Sequence, residues 1–362
     1  MKTIKLLLLL VVPPPYGGGE NRALRMAGYF LGRDGVRALT FSRPWANKFT
    51  QGRVTFRNIF FGLYYIGRSA MHMIICRPQI MFFNIPKNIG AFLRMVPLFY
   101  LAQILRIKVY GELAGANFLF LEEGGWKKTV GLYFLRKLYS LRFLGESIAK
   151  YHEPYGFNNP VVFPNGSEHP CVKTVIDRPP DHARLELLFV GELSRSKGVG
   201  RIVQALHHCR EDGLDVCCTL IGEWKDPAFE NEMRALIQQN QLNAMIVFTG
   251  LLKGSEKWAF YEKAHILTHP TDLDGQPMTI LEAMGSGLAI ISTRIGAIPD
   301  TIEDGVNGMI LPEISAEALY SAIRKLYFDR ALLHGIRTQN VKTFRERYDL
   351  KTYLENVDRW LS

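Results

Sequence analysis

The stretch from Thr268 to Gly308 constrains the fold of this chain most, because it alternates short apolar runs with turns rich in glycine. An apolar strand is predicted from His265 to His269, and a loop containing glycine and proline follows it. A short helix is predicted to begin near Pro277 and to end at a Gly-Ser-Gly turn, before a second apolar strand from Leu288 to Thr293. Strands that are apolar throughout are typical of parallel sheets buried on both faces, so the segment predicts an α/β fold.

Two acidic residues lie eight positions apart in this segment, Asp274 on the loop and Glu282 inside the helix. The first turn of a helix presents backbone N–H groups without an intrahelical acceptor, which suit an anionic ligand such as a diphosphate. Glu282, one turn into the helix, is placed to reach ribose hydroxyls beside that diphosphate. The residues predicted to bind the diphosphate and the ribose here are Pro277, Met278, Thr279, Ile280, Leu281 and Glu282. An ordinary β-loop-α-β unit with two surface acids is the alternative interpretation.

The pattern Asp274-x7-Glu282, continued by Ala-Met and by a Gly-Ala-Ile-Pro-Asp turn at 296–300, resembles the signature of retaining glycosyltransferase family 4. In that family two Glu residues flank the seven positions. The resemblance implies a GT-B fold, in which two Rossmann-like parallel-sheet domains face one another across a cleft. It also implies that Asp274 holds hydroxyls of the donor sugar or supports developing positive charge, which makes Asp274 the predicted catalytic residue. Asp is one methylene shorter than the usual Glu.

A basic element precedes this segment in the chain. Leu187 to Leu193 is predicted to form a strand and a turn, and the run Ser-Arg-Ser-Lys-Gly that follows leads into a helix. These residues resemble the family's Gly-Arg-Leu…Lys-Gly element, whose Arg and Lys hold the donor diphosphate. Lys197 matches the Lys, Glu192 stands in place of the Arg, and Arg195 is the predicted second cation. An ammonium is a suitable point charge for phosphate oxygens, although a solvated lysine at a helix start is the alternative.

Two further apolar runs end in glycine, one from Cys217 to Gly222 and one from Ile246 to Gly250. Both are predicted to be buried strands. Because ligands of open α/β sheets bind outside the carboxyl ends of the strands, we expect the nucleotide base to lie near these two glycines.

An apolar run from Leu6 to Val12 precedes a loop of three prolines, a tyrosine and three glycines. The run predicts a buried parallel strand, and the glycines would let the backbone approach a phosphate or sugar without a Cβ in the way. Family 4 has a similar strand and Pro-Pro-Gly-Gly loop, so Gly18 and Gly19 are predicted donor-binding residues. Lysines followed by an apolar core are also typical of a secretory signal peptide, but no small-x-small cleavage site follows.

The 362 residues suffice for two domains of ordinary size. The joint is predicted between Pro170 and Ala183, where the sequence is polar and contains two adjacent prolines. We expect an acceptor-binding domain over 1–172 and a nucleotide-sugar-binding domain over 184–340. A last helix within 341–362 is expected to pack back onto the first domain, as in the family.

Acceptor-side residues are expected in the first domain, within the segment VYGELAGANF from Val109 to Phe118. The resemblance points to Glu112 and Asn117 there. The family commonly has a His before the Gly of this segment, near the transferred sugar, and this chain has Ala114 instead.

Charge is unevenly distributed along the chain. Residues 1–150 contain 22 Lys and Arg against 6 Asp and Glu, a net charge of +16, whereas the remainder carries −6. The apolar segment from Met95 to Leu105 lies between two arginines, and no apolar stretch is expected to reach the about 20 residues that span a bilayer. The pattern favours peripheral binding to an anionic membrane surface. Helices that merely cover the sheet are the alternative, and nucleic acid is not expected because no recognition motif is present.

The resulting expectation is a retaining hexosyltransferase (EC 2.4) that moves a sugar from a nucleoside-diphosphate sugar to a hydroxyl of a lipid-linked or saccharide acceptor, in cell-surface polysaccharide or glycolipid biosynthesis. We expect it to be cytoplasmic and peripheral on the inner face of the plasma membrane. No metal or cofactor is expected, since the five cysteines show no metal spacing and GT-B enzymes generally work without a divalent cation. Because of the departures from the family pattern, a catalytically impaired scaffold of a polysaccharide assembly complex and a GT-B nucleotide-sugar epimerase or hydrolase are alternatives.

Overall fold

A computed structural model describes residues 4–14, 18–44, 55–113, 115–168 and 184–362. The predicted joint at 170–183 and the family's His position at 114 lie outside the described residues. The chain divides into two compact units, of which the first comprises Met1–Pro164 with Leu354–Ser362 and the second comprises Asn165–Tyr353. Each unit contains a parallel sheet surrounded by helices, which confirms the predicted α/β class.

The described part of the first unit contains one six-stranded parallel sheet. Its strands are β1 (Leu6–Val11), β2 (Val36–Phe41), β3 (Ile80–Ile85), β4 (Lys108–Leu113), β5 (Ser140–Phe143) and β6 (Pro160–Val162). Their order in the sheet is β2-β1-β3-β4-β5-β6. The five leucines of β1 are all buried, as expected for an apolar run between two parallel neighbours.

Helices connect these strands. They are α1 (Gly18–Phe30), α2 (Phe56–Cys76), α3 (Ile89–Leu93), α4 (Val96–Ile104), α5 (Leu119–Glu123), α6 (Gly125–Leu135) and α7 (Glu146–His152). Helix α4 covers most of the segment predicted to contact a membrane. Leu98, Phe99 and Ala102 of this helix are buried in the core of the unit, whereas Tyr100 and Ile104 are exposed, so membrane contact through this segment stays a prediction.

Helix α2 differs from expectation. It begins after Thr55, whose hydroxyl accepts a hydrogen bond from the Asn58 N–H at 3.2 Å, and it ends at Arg77 in the left-handed conformation. Its 21 residues are long and apolar enough to cross a membrane, as judged by length and composition alone. The expectation that no stretch reaches this length is therefore wrong, because Arg57 and Arg68 interrupt the apolar sequence without ending the helix.

The second unit is built in the same way. Its strands are β7 (Leu185–Val190), β8 (Val216–Ile221), β9 (Ile246–Gly250), β10 (Ile266–His269), β11 (Ala289–Ser292) and β12 (Met309–Ile310), arranged as β12-β11-β10-β7-β8-β9. Its helices are α8 (Val199–Glu211), α9 (Pro227–Gln239), α10 (Gly254–Lys263), α11 (Met278–Gly285), α12 (Ile298–Thr301), α13 (Ala316–Phe328) and α14 (Arg330–Thr343). Asp226 caps α9 and Ser315 caps α13 through side-chain oxygens that accept backbone N–H groups.

The predicted last helix is divided in two. A π turn (Phe344–Tyr348) follows α14, and a separate helix α15 (Leu350–Leu361) comes after it. Asp349 is extended between them, and its Oδ1 accepts a hydrogen bond from the Lys351 N–H at 2.7 Å. An aspartate in this position caps the start of a new helix, and the predicted single helix is therefore interrupted here.

The boundary between the units falls within α15, whose residues from Leu354 onward belong to the first unit. The indole of Trp360 donates from Nε1 to Ser140 Oγ at 2.8 Å. Its ring packs edge-on against Phe82, Tyr110 and Phe163, with centroid distances of 5.5 to 5.8 Å. The end of the helix thus closes the aromatic core of the first unit.

Candidate active site

The candidate site lies at one edge of the second unit's sheet. Strands β11, β10 and β7 are neighbours and parallel, so their carboxyl ends meet at the same edge. The loops that leave these ends carry most of the predicted donor-binding residues. Crevices outside such strand ends are the usual ligand sites of open α/β sheets.

Two side chains and one backbone N–H group converge at this edge on the carboxylate of Asp274. Lys197 Nζ donates to Asp274 Oδ2 at 2.5 Å and to the Leu273 carbonyl at 3.0 Å. His269 Nε2 lies 3.2 Å from the same Oδ2, and the Gly275 N–H donates to Oδ1 at 3.0 Å. The two residues predicted to serve catalysis and the diphosphate, Asp274 and Lys197, are therefore in direct contact.

The charge state of Asp274 follows from these partners. Burial alone would raise the pKa of its carboxyl, but the hydrogen bond from His269 and the positive charge of Lys197 outweigh burial and hold that pKa well below its usual value. Asp274 is accordingly a carboxylate at neutral pH, and His269 donates to it from Nε2. The other ring nitrogen, Nδ1, is buried without a hydrogen-bond partner in the part of the chain that the structure describes.

His269 was not among the predicted site residues. It is the last residue of β10, is almost fully buried, and stacks on Phe189 with a centroid distance of 6.2 Å. A histidine that ends an otherwise apolar strand just before the acidic loop was the available sequence signal. Its contact with Asp274 makes it part of the site.

Backbone contacts fix the loops that carry Lys197 and Asp274. The Ser196 carbonyl accepts hydrogen bonds from the Asp272 N–H at 2.8 Å and from Thr271 Oγ1 at 3.2 Å. Gly198 has φ +78°, and a Cβ there would lie 2.0 Å from the Pro270 carbonyl oxygen. Only glycine permits this close approach, so the turn after Lys197 is specified by the sequence.

Helix α11 begins beside this carboxylate. Pro277 is its N-cap and carries no side-chain cap, so the first N–H groups of α11 have no acceptor from a capping side chain. Met278 and Thr279 are half-buried, whereas the side chains of Ile280 and Leu281 are buried in the core. These four residues can therefore bind the donor diphosphate through their backbone N–H groups and the helix dipole. The two aliphatic side chains do not take part.

Glu282 is held by two side chains of α10. Lys257 Nζ donates to its Oε1 at 2.7 Å, and Tyr261 Oη donates to its Oε2 at 2.8 Å. Burial and the neighbouring carboxylate raise the pKa of the Tyr261 hydroxyl well above its usual value, so this hydroxyl remains a donor. Both carboxylate oxygens retain further acceptor capacity, as ribose recognition would require. Lys257 and Tyr261 were not predicted from the sequence.

Two charged residues near Lys197 have other partners. Arg195 is mostly exposed, forms an ion pair with Glu232, and lies over the Phe229 ring at 4.5 Å. Glu192, in the place of the family's Arg, lies 3.2 Å from Lys225 Nζ. The role of Arg195 as second cation stays a prediction.

The two glycines predicted near the base end neighbouring strands, and the Gly222 N–H donates to the Gly250 carbonyl at 3.0 Å. A Cβ at Gly222 would lie 1.8 Å from the Gly191 carbonyl oxygen, so the fold itself requires glycine at this position. At Gly250 a Cβ would meet nothing within 4 Å, although φ is +74°.

The predicted site residues of the first unit lie in different surroundings. Gly18 and Gly19 form the first turn of α1, and a Cβ at Gly19 would meet nothing within 4 Å. Asn117 donates from Nδ2 to the Glu122 carboxylate near the surface.

The predicted acceptor-side role of Glu112 conflicts with its surroundings. Glu112 is buried on β4, and each of its carboxylate oxygens accepts from a buried arginine, one from Arg22 and the other from Arg142. Burial raises the pKa of this carboxyl, but the two guanidinium charges outweigh burial and lower it overall. We therefore correct the prediction and interpret Glu112 as the centre of a buried ion-pair triad, because its oxygens are turned to protein partners.

Among the described residues, no group of three or more His, Cys, Asp or Glu side chains could hold a metal ion.

Comparison with known sequences finds a family that part of the chain resembles. Residues 177–343 match the model of the family glycosyl transferases group 1. A putative colanic acid biosynthesis glycosyltransferase, WcaL of Salmonella typhimurium, is 30% identical over 154 residues, which are 40% of this chain and 36% of that protein. The amylovoran biosynthesis glycosyltransferase AmsK of Erwinia amylovora is 28% identical over 151 residues, again 40% of this chain and 36% of that protein. The matched part thus spans about a third of the length of these curated relatives.

Comparison with solved structures covers nearly the whole chain. Sucrose-phosphate synthase of Thermosynechococcus elongatus superposes with a TM-score of 0.76 at 15% identity, over 99% of this chain and 98% of that one. Anabaena HepE in complex with UDP-glucose superposes with a TM-score of 0.74 at 15% identity, over 98% of this chain and 99% of that one. At this level of identity the likeness establishes the fold. Residues 177–343 of the chain thus resemble the glycosyl transferases group 1 family, and the chain as a whole has the GT-B fold.

Proposed function

We propose that this protein transfers a hexosyl group from a nucleoside-diphosphate sugar to a hydroxyl of a saccharide or lipid-linked acceptor, with retention at the anomeric carbon. The observation that carries the proposal is the cluster of Lys197, Asp274 and His269 at the start of α11, one turn before Glu282. It combines a cation, an ionised carboxylate and helix N–H groups at the carboxyl edge of a parallel sheet. A sugar nucleotide needs these groups for its diphosphate, its sugar and its ribose.

The departing diphosphate needs positive charge near the bond that breaks. Lys197 and the N–H groups at the start of α11 supply that charge from fixed positions, and such preorganised stabilisation is a large contribution to catalysis. Because Lys197 is already paired with Asp274, a bound diphosphate would share the ammonium with this carboxylate.

Asp274 is proposed to hold donor-sugar hydroxyls and to stabilise positive charge that develops at the anomeric carbon. Its low pKa keeps it ionised, which suits this electrostatic role and not that of a proton donor. The acceptor hydroxyl would attack from the same face that the diphosphate leaves. No protein nucleophile is required for this course.

The relatives support particular substrates. The names of WcaL and AmsK assign those proteins to colanic acid and amylovoran biosynthesis, which favours a growing cell-surface polysaccharide as acceptor. HepE was solved with UDP-glucose, which favours a uridine-diphosphate hexose as donor. A lipid-linked acceptor at the inner face of the plasma membrane agrees with the net charge of +16 in residues 1–150.

The donor is identified by thermal shift with UDP, GDP, ADP and their hexose derivatives, since a ligand that binds the folded state stabilises it. We expect one nucleotide series to raise the melting temperature, and its sugar to be transferred to a polyprenyl-diphosphate-linked saccharide. NMR of the product should show the anomeric configuration of the donor. The matched variant Asp274→Ala should bind the free nucleotide and fail to transfer.

Three results would contradict the proposal in different ways. If no nucleotide stabilises the protein, the donor site is misassigned. If the wild type binds a sugar nucleotide but transfers nothing to any acceptor, the scaffold alternative is favoured. An inverted product would exclude the retaining course.

A further inference from the structure

Helix α2 has two faces with different environments. On one face Phe61, Tyr65, Ser69 and Met73 recur every four residues and are buried against the first unit. Tyr65 contacts the Phe41 ring of β2 at a centroid distance of 4.4 Å. Through this face the helix packs along its length against the rest of the first unit.

The opposite face is exposed although it is apolar. Its large side chains, each between 50 and 92% exposed, are Phe56, Ile59, Phe60, Leu63, Tyr64, Met71, Ile74 and Ile75. Separations of three, four and seven residues place them along one side of the helix. Contiguous exposed apolar surface of this kind marks an interaction site in a soluble protein.

The charges in this part of the sequence have one sign. Helix α2 contains Arg57 and Arg68 and no Asp or Glu. Between Asp34 and Glu112 the sequence has eleven Lys and Arg and no acidic residue at all. Arg68 lies at the edge of the apolar face, where its NH1 group is 3.2 Å from the Tyr64 hydroxyl.

These charges select the occupant of the face. A second copy of this chain would bring two basic surfaces together, which is unfavourable. An anionic bilayer presents acyl chains for the apolar side chains and negative headgroups for the arginines. A bilayer-spanning arrangement does not fit, because one side of α2 is packed against its own unit along its length.

We propose that α2 is the membrane-docking element of the protein, lying in the plane of an anionic leaflet with its exposed apolar face inserted among the lipids. This inference rests on the proposed membrane-proximal acceptor and replaces Met95–Leu105 as the contact segment. The docking would hold the first unit where a lipid-linked acceptor is presented.

The test is flotation of the protein with vesicles of phosphatidylglycerol and phosphatidylcholine, compared with phosphatidylcholine alone. The triple variant Phe60→Ser, Leu63→Ser, Ile74→Ser should lose binding to the anionic vesicles by about tenfold or more, because three inserted side chains are removed. A matched triple variant, Leu31→Ser, Ile314→Ser, Phe328→Ser, replaces exposed apolar residues outside α2 and should bind like the wild type.

Salt separates insertion from charge attraction. Part of the wild-type binding should persist at high salt, whereas residual binding of the α2 triple variant should be abolished, since charge attraction alone is screened. Arg57→Glu should weaken binding at low salt.

Three results would overturn the inference: wild type that stays free of anionic vesicles, an α2 variant that binds as well as the wild type, or a wild-type dimer that the α2 variant converts to a monomer without lipid. The last result would assign the face to a second copy. Melting temperature and nucleotide affinity of the α2 variant should equal those of the wild type, because the substituted side chains are exposed. If the wild type docks on vesicles but binds no nucleotide, the proposed reaction is contradicted and the docking inference is not.

Discussion

Lys197 is the residue whose removal most directly tests the diphosphate site. Lys197→Ala should weaken the affinity for both the sugar nucleotide and the free nucleoside diphosphate by about 1.5–3 kcal/mol, as expected for a lost charged hydrogen bond. Isothermal titration measures both. Lys263→Ala, which removes an exposed lysine of the same unit, is the control and should change neither affinity. Unchanged affinity in Lys197→Ala would remove this lysine from the site.

Tyr261 is expected to act on the nucleotide through Glu282. Tyr261→Phe removes one of the two donors that hold this carboxylate, and we expect the affinity for nucleoside diphosphate to fall by about 0.5–1.5 kcal/mol. Tyr320→Phe, which deletes an exposed hydroxyl bonded to Asp212, should leave the affinity unchanged. The positioning role would be wrong if the two variants bound nucleotide equally well.

Asp274 should make stability depend on pH in the acid range. Its pKa in the folded state is lower than in the unfolded chain, so it stabilises the fold fully above its unfolded value of about 4. This contribution declines as the pH falls toward the folded-state pKa. Urea unfolding of wild type and Asp274→Asn at a series of pH values should show a stability difference that shrinks below about pH 4. A difference that stays constant from neutral to acid pH would argue against the ion pair.

The sequence could predict only the part of the site that is local in the chain. Asp274 and Glu282 lie within one strand-loop-helix segment, and Lys197 lies within a recognisable turn. Lys257 and Tyr261 come from a different helix, twenty-five and twenty-one residues before the carboxylate they hold. Nothing in the sequence of α10 indicates that these side chains point to Glu282, because that contact is created by tertiary packing. Glu112 was misassigned for the same reason, since its arginine partners come from α1 and β5.

The turn between β7 and α8 is the element on which the site depends. Gly198→Ala should destabilise the second unit by more than about 1 kcal/mol, since φ is +78° and the new Cβ would meet the Pro270 carbonyl. It should also weaken donor binding, because Lys197 would be displaced with the turn. Thermal unfolding and nucleotide titration measure the two effects.

The control for this prediction lies two residues away. A Cβ at Gly200 would make only an ordinary contact, 3.8 Å from Met233 Sδ, inside helix α8. Gly200→Ala should therefore stabilise the protein by about 0.5–1 kcal/mol through helix propensity. Equal effects of the two substitutions would contradict the close approach at Gly198.

The sequence predicts the strands, but it does not predict which face of a helix is buried or where a helix is interrupted. Runs such as Leu6 to Val11 are apolar because they are buried on both faces, so the sequence alone indicates their type. Helix α2 is apolar around most of its circumference, and no periodicity in the sequence shows which half packs on the sheet. The break at Asp349 depends on one capping side chain, which a search for a long amphipathic pattern passes over.

At the scale of the whole molecule, the first unit depends on the end of α15. Trp360→Ala should lower its free energy of unfolding by about 3 kcal/mol, because a large ring is removed from contact with three aromatic side chains. Urea unfolding of the variant gives this value. Phe328→Ala, at an exposed ring of the second unit, should have an effect close to zero. Similar losses in both variants would contradict the closing role of Trp360.

Because the end of α15 belongs to the first unit, the order of synthesis affects which unit can finish folding first. A nascent chain leaves the ribosome from its amino-terminal end, so the six strands of the first unit emerge before any part of the second. Yet Trp360 can contact Phe82, Tyr110 and Phe163 only after residues 354–361 have followed. By then all of Asn165–Tyr353 is outside the exit tunnel. The second unit, later in the chain, can therefore finish folding first, while the first unit still lacks the Trp360 ring that completes its aromatic core.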